Sequence, residues 1–206
     1  MKQNSPLFIG ITGGVGAGKS EILSFIRRHY RCEIYLADDV AHEVKKPGTD
    51  CFRKLVSLLG RDILNADGEI DKKKMADMIF SDRERLLKVN EIIHPAVKQY
   101  LLDRLALARA GLSCELFFVE AALLIEGGYR ELVDELWYVY ARSEVRARRL
   151  ADARGYSPEK IRAIMDSQLS EEDFRKNCDF VIDNSGSLTD STEQIKKRLE
   201  KYTWLE

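Results

Sequence analysis

Gly13-Gly14-Val15-Gly16-Ala17-Gly18-Lys19-Ser20 is the stretch on which the fold turns. It fits G-x-x-x-x-G-K-[ST] at every position. A phosphate chain needs many N–H donors converging on one point, and only a glycine-rich backbone wraps that closely. Residues 7–12 before it (Leu-Phe-Ile-Gly-Ile-Thr) read as a buried strand, and residues 21–28 after it carry Ile22, Leu23, Phe25 and Ile26 at helical spacing. Strand, glycine loop and helix are the context the pattern requires, and the positive end of that helix faces the same anion. With glycine near 7% of residues, chance supplies the pattern in roughly one chain per hundred before that context is counted. The spacing predicts that Lys19 reaches the β- and γ-phosphate oxygens of a bound triphosphate and that the Ser20 hydroxyl ligates Mg²⁺. Gly13, Gly14, Gly16, Ala17, Gly18 and Glu21 complete the expected nucleotide contacts.

Outward from the loop, short β-like runs alternate with longer helical ones, the pattern of a parallel sheet covered by helices. Further strands are expected at 32–37, 116–121, 136–141 and 180–183, making an α/β fold with a five-stranded parallel sheet. Between the second and third strands lie roughly 75 residues without a convincing strand, far more than an ordinary crossover needs. Segments 51–59, 71–80 and 83–110 look helical, with turns at Lys46-Pro47-Gly48 and Ala66-Asp67-Gly68. Ser81-Asp82-Arg83-Glu84 fits a capping box, and Pro95 is expected to open a fresh helix rather than sit inside one. Residues 46–112 therefore read as an inserted helical subdomain suited to a second substrate, within a single domain of 206 residues. Ser157-Pro158 opens another helix, and a last one follows Asn184-Ser185-Gly186-Ser187.

Composition narrows the function classes. Apolar residues at 45% and charged ones at 33% describe a globular chain, neither disordered nor collagenous. A formal charge of −1 provides no global basic field for nucleic acid. The first apolar run is shorter than a secretory h-region, and no run of about 18 apolar residues exists to span a membrane. Cys32, Cys51, Cys114 and Cys178 are scattered, without the close pairs of a zinc site or redox motif, and read as reduced thiols of a cytoplasmic protein.

A phosphate cradle alone does not separate hydrolysis, signalling and phosphoryl transfer. The guanine-specifying Asn-Lys-x-Asp is absent, which counts against a GTPase switch. A transferase needs a base for the acceptor hydroxyl and a way to exclude water. Asp38, just past the second strand, sits where open α/β sheets place ligands; by position it is equally an N-cap for a helix over 39–45. Glu120, near the end of the third strand, is either an acid beside Mg²⁺ or a structural carboxylate. Arg142, Arg146 and Arg149 recur on one helical face, with Arg148 and Arg154 nearby. That face either clamps phosphates or is a solvated surface paired with Glu144 and Asp152. His94 is either a substrate contact or a cap or core histidine, while His29 and His42 read as surface residues.

Along most of its length the chain resembles the dephospho-CoA kinase family. The resemblance is carried by Ile11-Thr12-Gly13-Gly14 with Gly18-Lys19-Ser20, by Ala37-Asp38 and Ala41, and by Pro47-Gly48. It continues through Asp67-Gly68-Glu69-Ile70-Asp71, Ile79-Phe80-Ser81-Asp82 and Asn90-Glu91-Ile92-Ile93-His94-Pro95. Leu123-Leu124-Ile125-Glu126, Arg149-Leu150, Ser167-Gln168 and the run from Asp179 to Gly186 complete it. The order and spacing of these pieces are more specific than any one of them. The resemblance implies a P-loop NTPase fold, a helical domain for the CoA-like substrate and a mobile arginine-bearing lid over 142–178. It implies phosphate transfer from ATP, with Mg²⁺, to the ribose 3′-hydroxyl of dephospho-CoA, with neither nucleic acid nor membrane as partner, by a monomer or weak oligomer. It further implies Lys19, Asp38 and Arg149 as catalytic residues, Asp38 being the base, with Asp38 and His94 at the acceptor and Asn184 at the nucleotide.

Departures from the family pattern accompany the likeness. Leu36-Ala37-Asp38 stands where relatives commonly have Asp-Ala-Asp, and Ala122 stands where they have proline. The lid arginine expected at Ala153 is displaced to its neighbour Arg154, a rotation of about 100° around a helix. Glu21 replaces a hydroxyl residue after the loop serine. Two rival readings remain: a small-molecule or nucleotide kinase with another acceptor, and a non-catalytic nucleotide-binding module.

Overall fold

The structure is a computed structural model that describes residues 5–80, 82–111 and 113–202. The chain begins with β1 (Leu7–Thr12), α1 (Lys19–His29), β2 (Cys32–Leu36) and α2 (Ala37–Glu43). Helices α3 (Asp50–Leu59), α4 (Lys72–Phe80) and α5 (Arg83–Gly111) follow. Next come β3 (Leu116–Glu120), β4 (Glu135–Tyr140), α6 (Ser143–Arg154), α7 (Pro158–Asp166) and α8 (Glu171–Asn177), then β5 (Phe180–Asp183) and α9 (Leu188–Leu199).

The strands form one parallel sheet in the order β2-β3-β1-β4-β5. Every residue of β1 is buried, as are the first four of β3 and the first five of β4. Such continuously buried, mostly apolar runs are what strands covered on both faces require. Register pairs Leu7 with Leu116 and Ile11 with Glu120 on one side of β1, and Thr12 with Tyr138 on the other. The central strand therefore ends with its glycine loop beside the ends of β3 and β4.

Two compact units divide the chain. The first takes the residues up to Ile34 and those from Ala108 onward. Its core sets Ile22, Phe25 and Ile26 of α1 and Ile195 and Leu199 of α9 against Ile9, Ile11, Trp137, Val139 and Ile182 of the sheet. Ile9, Ile11, Ile22, Ile26 and Trp137 are wholly buried, each burial stabilising by about 1.5–3 kcal/mol relative to exposure.

The second unit, Tyr35–Leu107, takes in the end of β2 and all of α2, which the expected range 46–112 leaves out. The Thr49 hydroxyl caps α3 by accepting the Phe52 N–H at 3.1 Å. Leu55, Leu59, Ile63, Met75, Val89, Val97, Leu101 and Leu105 are buried within it. Within it a lone antiparallel bridge joins Leu64 to Ile70 around the expected turn at Asp67-Gly68.

Two sequence readings change here. Pro95 lies inside α5 instead of opening a new helix. Val89 before it and Val97, Leu101 and Leu105 after it are all buried, and holding that stripe on one continuous helix outweighs the missing proline N–H. The carbonyl it leaves without a helical donor belongs to Glu91, an exposed residue open to water. Asp38 is not an N-cap: α2 starts at Ala37 with Leu36 at its cap, so Asp38 stands in the first turn, where the amide end of a helix favours a carboxylate. Ser81 of the expected capping box lies outside the described residues; the Asp82 carboxylate accepts the Arg85 N–H at 2.9 Å and secures the start of α5.

Candidate active site

The loop between β1 and α1 takes its shape from its glycines. Gly18 caps α1 in the left-handed region, with φ 94° and ψ 25°, where a side chain would be strained. Gly16 has φ 83°, and a Cβ there would stand 3.0 Å from the main-chain oxygen of Arg146 and 3.1 Å from Leu150 Cγ. Glycine at this point thus serves both the turn and the close approach of α6. The Ala17 N–H donates to the Gly14 carbonyl at 3.1 Å, and the Glu21 and Ile22 N–H groups donate to that of Gly18.

Lys19 opens α1, and its ammonium donates to the Gly13 carbonyl at 2.7 Å. It also lies 3.4 Å from Glu120 Oε1, with both side chains largely sheltered, at 14% and 20% exposure. The pairing of β3 with β1 produces this contact, since it sets Glu120 opposite Ile11 at the mouth of the loop. Glu120 thus stands beside Lys19, a position compatible with either of the two readings left open for it. Ser20 and Glu21 are exposed in the first turn of α1. Among the described residues no cluster of three His, Cys, Asp or Glu side chains is arranged to hold a metal.

A brace grips the loop from α6 and beyond. Arg146 Nε donates to the Val15 carbonyl at 2.9 Å, and its Nη2 donates to the Gln168 side-chain oxygen. The same oxygen accepts the Val15 N–H at 3.2 Å. Arg149 Nη1 donates to the Ala17 carbonyl at 3.2 Å and its Nη2 to the Asn184 carbonyl at 3.0 Å. Asn184 is 1% exposed. Its amide nitrogen donates to the Ala17 carbonyl at 2.8 Å, while its oxygen accepts the Ser191 hydroxyl at 2.8 Å. Burial lowers the Arg146 pKa, partly offset by Tyr138, and burial pushes the Tyr138 phenol up to about 12.

The arginine face thus divides. Arg146 and Arg149 serve the loop, whereas Arg142 is exposed just ahead of α6. Arg154, at the end of α6, sits with its guanidinium 5.9 Å from the Tyr156 ring centre. Arg148 lines a cavity of about 870 Å³ that also meets Tyr138, Tyr140, Arg146, Ile161 and Met165. Sequence reasoning missed the part played by Gln168, because a side chain that bridges an arginine and a distant loop amide leaves no spacing signal. Asn184 bears on the nucleotide loop through the Ala17 carbonyl.

Within the second unit, Asp38 is exposed in the first turn of α2 and His94 is exposed in the middle of α5. Lys45 follows α2 and is half-buried; burial lowers its ammonium pKa, Cys51 and Asp38 raise it, and the charge on Lys72 lowers it further. All four cysteines are free thiols. Burial pushes Cys32 up to about 11 and Cys178 up to about 12, well away from thiolate reactivity.

Comparison with known proteins bears on the chemistry of this arrangement. The sequence model of the dephospho-CoA kinase family matches residues 7–190. A dephospho-CoA kinase from Carboxydothermus hydrogenoformans is 36% identical over 197 residues, covering 95% of this chain and 94% of the relative. The crystal structure of a Thermus thermophilus protein superposes with a TM-score of 0.76 at 31% identity, over 96% of this chain and 98% of that one. A dephospho-CoA kinase structure from Campylobacter jejuni shares the fold, with a TM-score of 0.69 at 23% identity over 94% of this chain and 96% of that one.

Proposed function

Because the chain belongs to the dephospho-CoA kinase family, we propose a division of labour among its own residues for that family's reaction. The protein is an ATP-dependent kinase that phosphorylates dephospho-CoA on its ribose 3′-hydroxyl, the last step of coenzyme A synthesis. The observation that carries the site assignment is the glycine loop at the head of α1 with Lys19 drawn to its lip between the Gly13 carbonyl and Glu120.

Loop amides and Lys19 hold the ATP phosphates, and Asp38 takes the proton of the 3′-hydroxyl as that oxygen attacks the γ-phosphorus in line. The new O–P bond forms as the bond to the β-phosphate oxygen breaks, and ADP leaves. Rate comes from positioning and from charge held where the transferring phosphoryl group needs it. Arg149 contributes its charge to the phosphates from its place on the loop carbonyls, while Asn184 keeps the Ala17 carbonyl turned away from them. His94 belongs to the acceptor side, in the helical region 46–112. Helices α6 to α8, over 142–178, act as the lid, and the Arg146–Gln168–Val15 brace supports that role.

A Mg²⁺ carried by the nucleotide fits the donors present, because Mg²⁺ keeps several waters and relies on substrate phosphates; the Ser20 hydroxyl would be its protein ligand, and the ion would neutralise phosphate charge. We place the enzyme in the cytoplasm as a monomer or weak oligomer, without membrane or nucleic-acid partner. Among the described residues no helix is long and apolar enough to cross a membrane, and the formal charge is −1.

An acceptor panel tests the assignment. ADP formation is measured with dephospho-CoA, nucleoside monophosphates and shikimate, and only dephospho-CoA is expected to turn over, giving the 3′-phosphate. Faster turnover of another acceptor favours the rival kinase reading. Tight ATP binding without turnover on any of them favours a binding module.

A further inference from the structure

The second unit holds a small basic recess that the mechanism above does not use. His42, Lys45, Lys46, Glu69 and Lys72 line it, and its volume is about 210 Å³. Pockets for whole small-molecule ligands run to roughly 300–1,000 Å³, so the recess suits one charged substituent of a larger molecule. Its cations are unevenly matched. Lys46 is paired with Glu43 at 2.7 Å, while among the described residues neither Lys45 nor Lys72 has a carboxylate at ion-pair distance. Lys45 is half-buried and feels the charge of Lys72. Glu69 is the one carboxylate in the lining, against three lysines, and an excess of ammonium groups held together is stabilised by an anion from outside.

The recess begins one turn from Asp38. Asp38 and His42 are four residues apart in α2, which puts their Cβ atoms roughly 5–6 Å apart on one helix face. Asp38 also acts electrostatically on Lys45. The acceptor's chemistry requires just such a neighbour for its base. In dephospho-CoA the 3′-hydroxyl and the 5′-diphosphate hang from the same ribose, a few bonds apart. A group that holds the diphosphate must therefore lie within a side chain's reach of the group that receives the hydroxyl proton.

We propose that the recess formed by His42, Lys45, Lys46 and Lys72 binds the diphosphate of dephospho-CoA and thereby sets the ribose 3′-hydroxyl before Asp38. Lys45 and Lys72 are the specificity-determining residues, and they distinguish an acceptor that carries a diphosphate from a bare nucleoside. The second half of this assignment rests on the reading of Asp38 as the base.

The test uses Lys45→Gln, Lys72→Gln and Lys72→Arg in the full-length enzyme. Each glutamine variant is expected to raise the KM for dephospho-CoA, and its calorimetric dissociation constant, at least about tenfold, the loss of one charge-assisted contact. The KM for ATP should stay put, and Lys72→Arg should recover most of the loss. Adenosine, which keeps the 3′-hydroxyl but lacks the diphosphate, serves as a competitive inhibitor whose inhibition constant should not change. An unchanged dephospho-CoA dissociation constant in both glutamine variants overturns the proposal, and so does equal weakening of adenosine. The base assignment fails separately, through undiminished kcat in Asp38→Asn, and that result leaves the dissociation constants to decide the recess.

Discussion

Lys19 and Asp38 carry different parts of the reaction, so their removal separates in the kinetics. Lys19 is held 2.7 Å from the Gly13 carbonyl and 3.4 Å from Glu120, ready to meet phosphate charge. Lys19→Ala should lower kcat by about 10²–10³ through lost transition-state stabilisation, with a raised KM for ATP. Asp38→Asn should lower kcat by about 10²–10⁴, the usual range for removing a general base, while the KM for ATP and the circular dichroism spectrum stay those of the wild type. Steady-state kinetics with dephospho-CoA checks both; full turnover in Asp38→Asn would disprove the base. The two residues were legible to different degrees. Lys19 follows from a pattern whose every position has a physical reason. Asp38 did not, because a carboxylate just past a strand suits a helix start and a catalytic role equally, and only the start of α2 at Ala37 removes the capping alternative.

At the scale of elements, the glycine loop is held by side chains from three other segments, and Asn184 is the buried member of that set. Asn184→Ala would take one hydrogen bond from the Ala17 carbonyl, which keeps its bond from Arg149, and one from the Ser191 hydroxyl, which still reaches the Asp183 and Ser187 carbonyls. Losing two hydrogen bonds should cost about 1–3 kcal/mol, a fall in melting temperature of roughly 2–12 °C for a chain of this size. The KM for ATP should rise with it, because Ala17 belongs to the phosphate loop; an unchanged melting curve would show that the brace is idle. A second element-level prediction concerns α5. Pro95→Ala should restore the hydrogen bond to the Glu91 carbonyl and stabilise the protein by about 1–3 kcal/mol, seen as a higher urea midpoint, and a lower midpoint would mean that Pro95 contributes packing worth more than that bond. The helices and strands were readable from period and punctuation, and β1 and β5 coincide with their expected ranges. Pro95 misled because local chemistry marks a helix start there, whereas the buried stripe from Val89 to Leu105 is a tertiary fact. The loop brace was unreadable for the same reason: Gln168 meets Val15 across 153 positions of chain.

Across the whole molecule, the nearly balanced charge hides one sheltered acid on which the C-terminal helix depends. Glu135 starts β4 and is only 8% exposed. It accepts the Trp137 indole N–H at 2.6 Å, the Tyr202 hydroxyl at 2.6 Å and the Arg198 Nε at 3.1 Å. Arg198, from α9, also lies 5.2 Å from the Phe180 ring centre, so this carboxylate fastens the last helix to the sheet. Burial alone would raise the Glu135 pKa, but the hydrogen bonds from Arg198, Tyr202 and Trp137 outweigh it and hold the carboxyl below its ordinary value of 4.5. The unfolded chain therefore binds the proton more readily than the folded one. The stability that Glu135 contributes is complete above about pH 4.5 and drains away as pH falls through the lowered folded value. Glu135→Gln keeps the shape but removes the charge that Arg198 answers, leaving a largely buried guanidinium unpaired. It should destabilise the protein by about 3 kcal/mol at pH 7 and flatten the acid limb of the stability curve, so that the gap between variant and wild type narrows as pH falls through the lowered value. Urea unfolding of both proteins between pH 7 and pH 3 decides it: parallel curves, with a constant gap at every pH, would show that the carboxylate's charge does not fasten α9.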